Sequence, residues 1–325
     1  MISIDIMPKW IFYGYLGIHM PLCIGMTVVP IADPVNERLS EIINRFHPQS
    51  VAGVPGHAMD LLDNDNVTDL SSLTTIGIGG DSMPLEAEKR LNDLLQRIGG
   101  IKYCSPGYGA SENTSVATAN QGEVYKEGSV GIPFYDVNLM VIDKDKYEQD
   151  GEIVELGYDQ DGIICFNGNL MLGYYGDDDE SNKVIKEYNG ERWYISGDVG
   201  YIDQDGFVFF LNREKDLVVL PDGFKVVPKV IEDVVSTNPM VKRCVVVGKK
   251  YEDDSAGERP CCYIQIKKSS SLLQKEILEK EIRKSIKRQL SSYYMPREII
   301  FVKDIKMTPM GKVDRKKYHC AGCIE

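Results

Sequence analysis

TIGIGGDSMPLEAEKRLNDLLQRIGGIKYCSPGYGASE, residues 75–112, carries the pattern from which the fold is read. Thr75–Ile78 is a short apolar run that stops at Gly79-Gly80, which predicts a buried strand. Pro84 then opens a helix. Leu91, Leu94, Leu95 and Ile98 give it one apolar stripe, and Gly99-Gly100 closes it. Residues 101–104 predict the next strand, followed by a loop from Ser105 to Glu112. Working upstream, residues 50–54 and 27–31 read as strands. Residues 36–45 read as a helix with Leu39, Ile42, Ile43 and Phe46 on one face. Strands alternating with helices mark a parallel sheet flanked by helices. Residues 1–124 are therefore expected to be α/β.

Downstream the texture changes. Asp150-Gly151, Asp161-Gly162, Asp205-Gly206 and Asp222-Gly223 are turn signals, the first three flanked by apolar runs. Residues 125–215 are expected to form antiparallel hairpins resembling a barrel. From 216 to 325 the pattern is that of a small α+β domain, with helices over 228–236 and 272–290 and strands over 243–247, 261–266 and 298–302.

The chain has 325 residues, 43% hydrophobic and 26% charged, with a formal net charge of -12. Such an acidic surface argues against nucleic acid as a partner. Anionic ligands would need local cations or backbone N–H groups. The N-terminus lacks a secretory signal pattern, so a cytoplasmic protein is expected. Residues 10–32 contain no Asp, Glu, Lys or Arg, but Gly14, Gly17, Pro21, Gly25 and Pro30 interrupt them. A buried helix, a turn and a strand fit better than a membrane span. The eight cysteines are scattered and read as reduced, buried thiols. Cys320 and Cys323 form a lone CxxC beside His319, short of the four ligands of a structural zinc site. Asp177-Asp178-Asp179 reads as a solvated loop, and Met171 and Tyr174 as core packing.

Three clusters carry chemistry. The first is Ser105-Pro106-Gly107-Tyr108-Gly109-Ala110-Ser111-Glu112. It follows a strand, where ligands of α/β sheets bind. Gly107 and Gly109 allow close backbone approach, Tyr108 offers a flat face, Ser111 a hydroxyl and Glu112 a hard oxygen for Mg²⁺. Alone it reads more readily as a turn followed by a capped loop. The second runs from Trp193 through Ser196-Gly197-Asp198 to Arg213-Glu214-Lys215-Asp216. A carboxylate at Asp198 can accept both hydroxyls of a ribose, and Arg213 can pair with a phosphate or the ribose. The third is Thr308-Pro309-Met310-Gly311-Lys312-Val313-Asp314-Arg315, a loop lysine that by itself is unremarkable.

In this order, and with Gly128-Ser129-Val130-Gly131-Ile132-Pro133, Gly151-Glu152-Ile153 and Gly173-Tyr174-Tyr175 between them, the clusters resemble the adenylate-forming superfamily of acyl- and aryl-CoA ligases, peptide-synthetase adenylation domains and luciferases. The resemblance runs from about Pro8 to Tyr318. It implies a large adenylate-binding domain, of which 1–215 is part, and a small C-terminal lid domain, 216–325. It also implies that Gly79, Gly80 and Asp81 line one side of an adenine and Tyr108, with Gly109, the other. Ser111 approaches the phosphate, Glu112 binds Mg²⁺, Asp198 holds the ribose and Arg213 stands beside it. Asp216 is the hinge, Lys312 the catalytic lysine, and Gly223 lies on the path of the pantetheine thiol. ATP or AMP, Mg²⁺ and coenzyme A are the implied cofactors, with a fatty or aryl carboxylic acid as substrate.

The family's Ser/Thr/Gly-rich phosphate loop, expected upstream of Pro8, has no match in the sequence. The expectation is therefore an N-terminally truncated ligase, impaired alone or completed by a separate N-terminal half. Two alternatives stay open: an adenylation domain that loads a carrier protein, and a non-catalytic nucleotide-binding or interaction relic.

Overall fold

A computed structural model describes residues 1–5, 15–31, 39–63, 67–251, 257–267, 272–308 and 312–318. The chain divides into two compact units, Met1–Met83 with Ala87–Leu211, and Pro84–Glu86 with Asn212–Glu325. Expectations for Asn36, Pro309, Met310, Gly311, His319, Cys320 and Cys323, and for the first part of the 10–32 run, lie outside the described residues.

The first unit is built on a seven-stranded sheet. Its strands are β1 (Ile2–Asp5), β2 (Thr27–Pro30), β3 (Ser50–Gly53), β4 (Thr75–Ile78), β5 (Ser105–Tyr108), β6 (Thr118–Ala119) and β7 (Ile132–Pro133), in the order β2-β1-β3-β4-β5-β6-β7. The first five in that order run parallel, as the alternation predicts, and β6 and β7 are antiparallel additions. Helix α1 (Leu39–Phe46) buries Leu39, Ile42 and Ile43. Helix α2 (Pro55–Leu62) starts with proline at its first position, where no intrahelical N–H bond is lost. The Val54 N–H donates to His57 Nδ1 at 3.2 Å, closing that first turn. Helix α3 (Leu85–Ile98) buries Leu91, Leu94 and Leu95, and Ile98 is half-buried. Within the 10–32 run, the described part is a single π-helical turn, Tyr15–His19, a short helix Met20–Cys23, and β2. No helix among the described residues is long and apolar enough to cross a membrane.

The strand expected at 101–104 is displaced to Ser105–Tyr108. The Cys104 N–H is engaged by Asn92 Oδ1 of α3 at 2.8 Å, and the ladder to β4 begins at Gly77↔Ser105. The residues read as a loop thus form the strand.

The antiparallel part is a five-stranded sheet of β8 (Asn138–Ile142), β9 (Gly162–Asn167), β10 (Ile185–Tyr188), β11 (Glu191–Ile202) and β12 (Val208–Arg213). The order is β10-β11-β9-β8, with β12 pairing β11. Asp205-Gly206 turns β11 into β12: Gly206 has φ +85° and its N–H donates to the Asp203 carbonyl at 2.9 Å. Asp150-Gly151 makes no hairpin. It ends a short helix, Lys144–Asp150, with Gly151 at φ +70° as the left-handed cap. A hairpin turn and a helix C-cap ask for the same backbone freedom, so the dipeptide cannot tell them apart. Asp177-Asp178-Asp179 is likewise not a loop. Asp177 caps the helix Asp178–Val184 by accepting the Glu180 N–H, and the next two acids fill its first turn, where the helix dipole favours them.

In the second unit β13 (Val218–Val219) and β14 (Lys225–Val226) form a hairpin. They are followed by α4 (Pro228–Ser236), β15 (Val241–Lys249), β16 (Arg259–Ile266), α5 (Leu272–Gln289) and β17 (Glu298–Val302). β15 pairs antiparallel and β17 parallel with β16. Leu278, Ile282 and Ile286 of α5, four residues apart, enter one core with Ile231, Val246, Cys262 and Ile264. Among the described cysteines, all free, Cys104, Cys165, Cys261 and Cys262 are buried, but Cys23 is exposed, against the expectation of buried thiols.

Candidate functional site

In the first unit, glycines crowd the carboxyl ends of three parallel strands. Gly53 ends β3 and its carbonyl accepts the Gly79 N–H at 3.0 Å. A Cβ on Gly79 would lie 3.3 Å from the Gly107 carbonyl. Gly80 has φ +79°, and the Asp81 carboxylate accepts the Ser82 N–H at 2.9 Å. At Gly109 a Cβ would fall on the Ser115 carbonyl and 2.8 Å from the Ala117 nitrogen, so only glycine fits there. These close approaches leave backbone at the strand ends, where an α/β sheet takes its ligands.

Asp198 reaches this region through an irregularity in β11. Ile195 pairs with Cys165 and Val199 with Ile163, so three residues, Ser196, Gly197 and Asp198, stand opposite one. Such a bulge re-aims a side chain. Gly197 takes φ +67°, and the Ser196 hydroxyl donates to the Ile164 carbonyl and accepts the Asp198 N–H at 3.0 Å. The Asp198 residue is 7% exposed. Its Oδ2 accepts the Tyr108 hydroxyl at 2.7 Å. The Tyr108 ring lies against Phe166 and Phe210, with centroids at 5.3 and 5.7 Å. Burial, and then the Asp198 charge, hold the Tyr108 phenol proton on well above its ordinary range.

Glu112 belongs to the 3-10 turn Ser111–Asn113, with Ser111 exposed. The next residue, Thr114, is held at φ +76°, unusual for a β-branched residue, with its hydroxyl on the Asn169 carbonyl at 2.8 Å. Glu112 Oε1 accepts the Tyr174 hydroxyl at 2.7 Å, and the Glu112 carbonyl accepts the Met171 N–H at 2.7 Å. Burial and that bond push the Tyr174 phenol up. Tyr174 is therefore not plain core packing; its one sequence signal was its place in Gly173-Tyr174-Tyr175. A half-buried carboxylate with one oxygen already oriented suits a single-ligand Mg²⁺ that takes its remaining oxygens from phosphate and water. Among the described residues no group of three or more His, Cys, Asp or Glu side chains could hold a metal by itself.

The second unit holds the other expected residues. Arg213 is exposed and precedes the turn Glu214–Asp216. Gly223, at φ +85°, tips the β13–β14 hairpin, with the Gly223 N–H on the Leu220 carbonyl at 2.8 Å and open space where a Cβ would stand. Lys312 is half-buried. Its N–H donates to Thr308 Oγ1 at 3.3 Å and its carbonyl accepts the Thr308 N–H at 2.7 Å.

Comparison with known proteins gives a consistent picture. Residues 2–175 match the family model of the AMP-binding enzyme, and residues 230–312 that of the AMP-binding enzyme C-terminal domain. The chain is 30% identical to 4-coumarate-CoA ligase 1 of Narcissus pseudonarcissus over 86% of this chain and 49% of that protein. It is 28% identical to the mitochondrial medium-chain acyl-CoA ligase ACSF2 of Macaca fascicularis over 93% of this chain and 46% of that protein. The chain thus spans about half the length of the curated relatives it matches. Among solved structures, the anthranilate CoA ligase AuaEII in complex with anthranoyl-AMP aligns over 98% of this chain and 57% of its own. The TM-score is 0.81 at 23% identity, a likeness of fold.

Proposed function

The chain belongs to the AMP-binding enzyme family, and from that premise we propose that it serves an AMP-forming acid–thiol ligase, which activates a carboxylic acid as acyl-AMP and passes it to coenzyme A. The observation that carries the reading is the Tyr108–Asp198 pair. A buried carboxylate, set by a strand bulge and oriented by a phenol, stands beside glycine-lined strand ends. A vicinal diol could bridge such a carboxylate. In the proposal Gly79, Gly80, Asp81, Tyr108 and Gly109 bind the adenine, Asp198 the ribose, and Ser111 the α-phosphate. Arg213 stays assigned to the ribose, Asp216 to the hinge and Gly223 to the thiol path.

A carboxylate is a poor electrophile, and a mixed anhydride with AMP supplies a good leaving group. In the first step a carboxylate oxygen attacks the α-phosphorus of ATP, the bond to the β-phosphate breaks, pyrophosphate leaves, and negative charge builds at the α-phosphate on the way. The Lys312 ammonium opposes that charge, and Mg²⁺ when bound adds Lewis-acid stabilisation. Glu112, oriented by Tyr174, offers it one oxygen. Thiol attack on the acyl carbonyl then expels AMP and needs no Lys312. The relatives named for 4-coumarate and for medium-chain acids favour an aryl or fatty acid of moderate size.

The test supplies purified chain with preformed acyl-AMPs of aryl and C6–C12 acids, coenzyme A and Mg²⁺, and follows acyl-CoA by mass spectrometry. This step needs no grip on a triphosphate. Acyl-CoA above a no-protein blank is expected, and Lys312→Ala should retain it while losing any adenylate formation from ATP. A folded chain that produces none, and does not bind AMP by calorimetry, overturns the proposal.

A further inference from the structure

The segment that carries Lys312 is tied into the second unit at both ends, and one tie is a buried ion pair. Arg315, three residues beyond Lys312, forks onto Glu232 of α4. Nη1 meets Oε1 at 2.7 Å and Nη2 meets Oε2 at 2.9 Å. Arg315 Nη1 also donates to the Val246 carbonyl of β15 at 2.8 Å, and Glu232 Oε1 accepts the Val246 N–H at the same distance. The side chains are only 19% and 10% exposed. On the upstream side the Lys306 N–H donates to the hydroxyl of Tyr318 at 2.6 Å, and that residue is 1% exposed. Between the ties the two limbs of the segment pair with each other. Met307 bridges Val313, the Asp314 N–H donates to the Lys306 carbonyl at 3.0 Å, and Thr308 and Lys312 exchange the bonds given above.

We propose that Arg315, through its fork on Glu232 and Val246, is a positioning residue for Lys312: it registers the lysine-bearing segment against α4 and β15, so that the ammonium is presented from a fixed backbone. The inference rests on the role given to Lys312 above. A buried ion pair is a poor way to add stability alone, because apolar residues of equal volume hold a core as well. What the pair adds is geometry. The planar guanidinium meets a carboxylate along two parallel bonds, and the same group reaches a main-chain carbonyl. Three acceptors on two elements fix where Arg315 stands, and Lys312 is two peptide units away from its neighbour Asp314. Lysine at 315 keeps the charge but cannot make the fork.

Two measurements on the full chain test this. The first is amide hydrogen exchange of wild type and Arg315→Lys, followed by peptides covering 304–316 and, separately, β15 and β16. Exchange across 304–316 should quicken at least tenfold while β15 and β16 stay within twofold. Unchanged exchange across 304–316, or an equal rise in all three segments, overturns the positioning role. The second compares the two half-reactions. A displacement of about 1 Å at a reacting group costs about 100-fold. Arg315→Lys should therefore lower acyl-AMP formation about 100-fold, and transfer from preformed acyl-AMP to coenzyme A less than threefold. Glu232→Gln should show the same split. Parallel loss of both half-reactions identifies a plain structural brace and rejects the proposal. A wild-type chain that performs neither and does not bind AMP rejects the ligase reading instead, and wherever the wild type forms no acyl-AMP the exchange result decides on Arg315 alone.

Discussion

Tyr108→Phe removes one oxygen and nothing else, and that oxygen donates to Asp198 at 2.7 Å. A hydrogen bond to a charged acceptor contributes about 1.5–3 kcal/mol, and the buried acceptor left behind keeps its desolvation cost. For a unit of this size each kcal/mol moves the melting point by about 2–4 °C, so the variant should melt about 3–12 °C lower at pH 8. The pH dependence gives an independent check. The folded state holds the Tyr108 proton well above the ordinary phenol range, whereas the unfolded chain loses it near pH 10. Above about pH 10 the folded state therefore binds more protons than the unfolded one, and stability falls as pH rises, by up to about 1.4 kcal/mol per pH unit. Phenylalanine lacks this contribution. The gap between wild type and variant should be flat from about pH 7 to 9 and close above about pH 10. Circular dichroism melts at pH 8, 9, 10 and 10.5 measure both. A variant that melts within about 1 °C of wild type at pH 8, at most half the shift of a single kcal/mol, would show that the phenol does not hold Asp198 in solution.

Two further outcomes follow from the same geometry. Asp198→Asn keeps an acceptor for Tyr108 but loses the charge, and should weaken AMP binding by about 10- to 150-fold, the equivalent of about 1.5–3 kcal/mol, by titration calorimetry; unchanged affinity would remove Asp198 from the ribose. Gly109→Ala drives a Cβ into the Ser115 carbonyl, and such overpacking against main chain should cost about 1–3 kcal/mol in urea melts, whereas Gly223→Ala meets only its φ of +85° and should cost about 1 kcal/mol.

The parallel part of the fold was legible because its elements repeat simple periods. The 75–78 run and the leucines of α3 need no tertiary information. Ser105–Tyr108 was misplaced because a Ser-Pro-Gly sequence reads as a turn; it becomes a strand through its pairing with Gly77 and Ile78 and through Asn92, which draws off the N–H of Cys104. The residues of the candidate site stand out in the sequence as motifs, but their couplings do not. Tyr108 and Asp198 are 90 residues apart in the chain, and Glu112 and Tyr174 are 62 apart. Nothing local in either segment announces its partner. Arg315 was visible only as the end of a motif, since its meaning depends on Glu232, 83 residues earlier.

The irregularity in β11 separates two demands made on one strand. Without Gly197 and Asp198, Ile195 and Val199 would fall into continuous register with Cys165 and Ile163. The ladder would gain regularity, and the carboxylate would be gone. A shortened chain of this kind would trade the Tyr108–Asp198 bond for a regular ladder, two effects of opposite sign on stability, and on the role proposed for Asp198 it should lose AMP binding whatever the balance. Folding yield and nucleotide binding therefore report on different properties of this strand, and a screen for soluble expression alone does not select for the carboxylate.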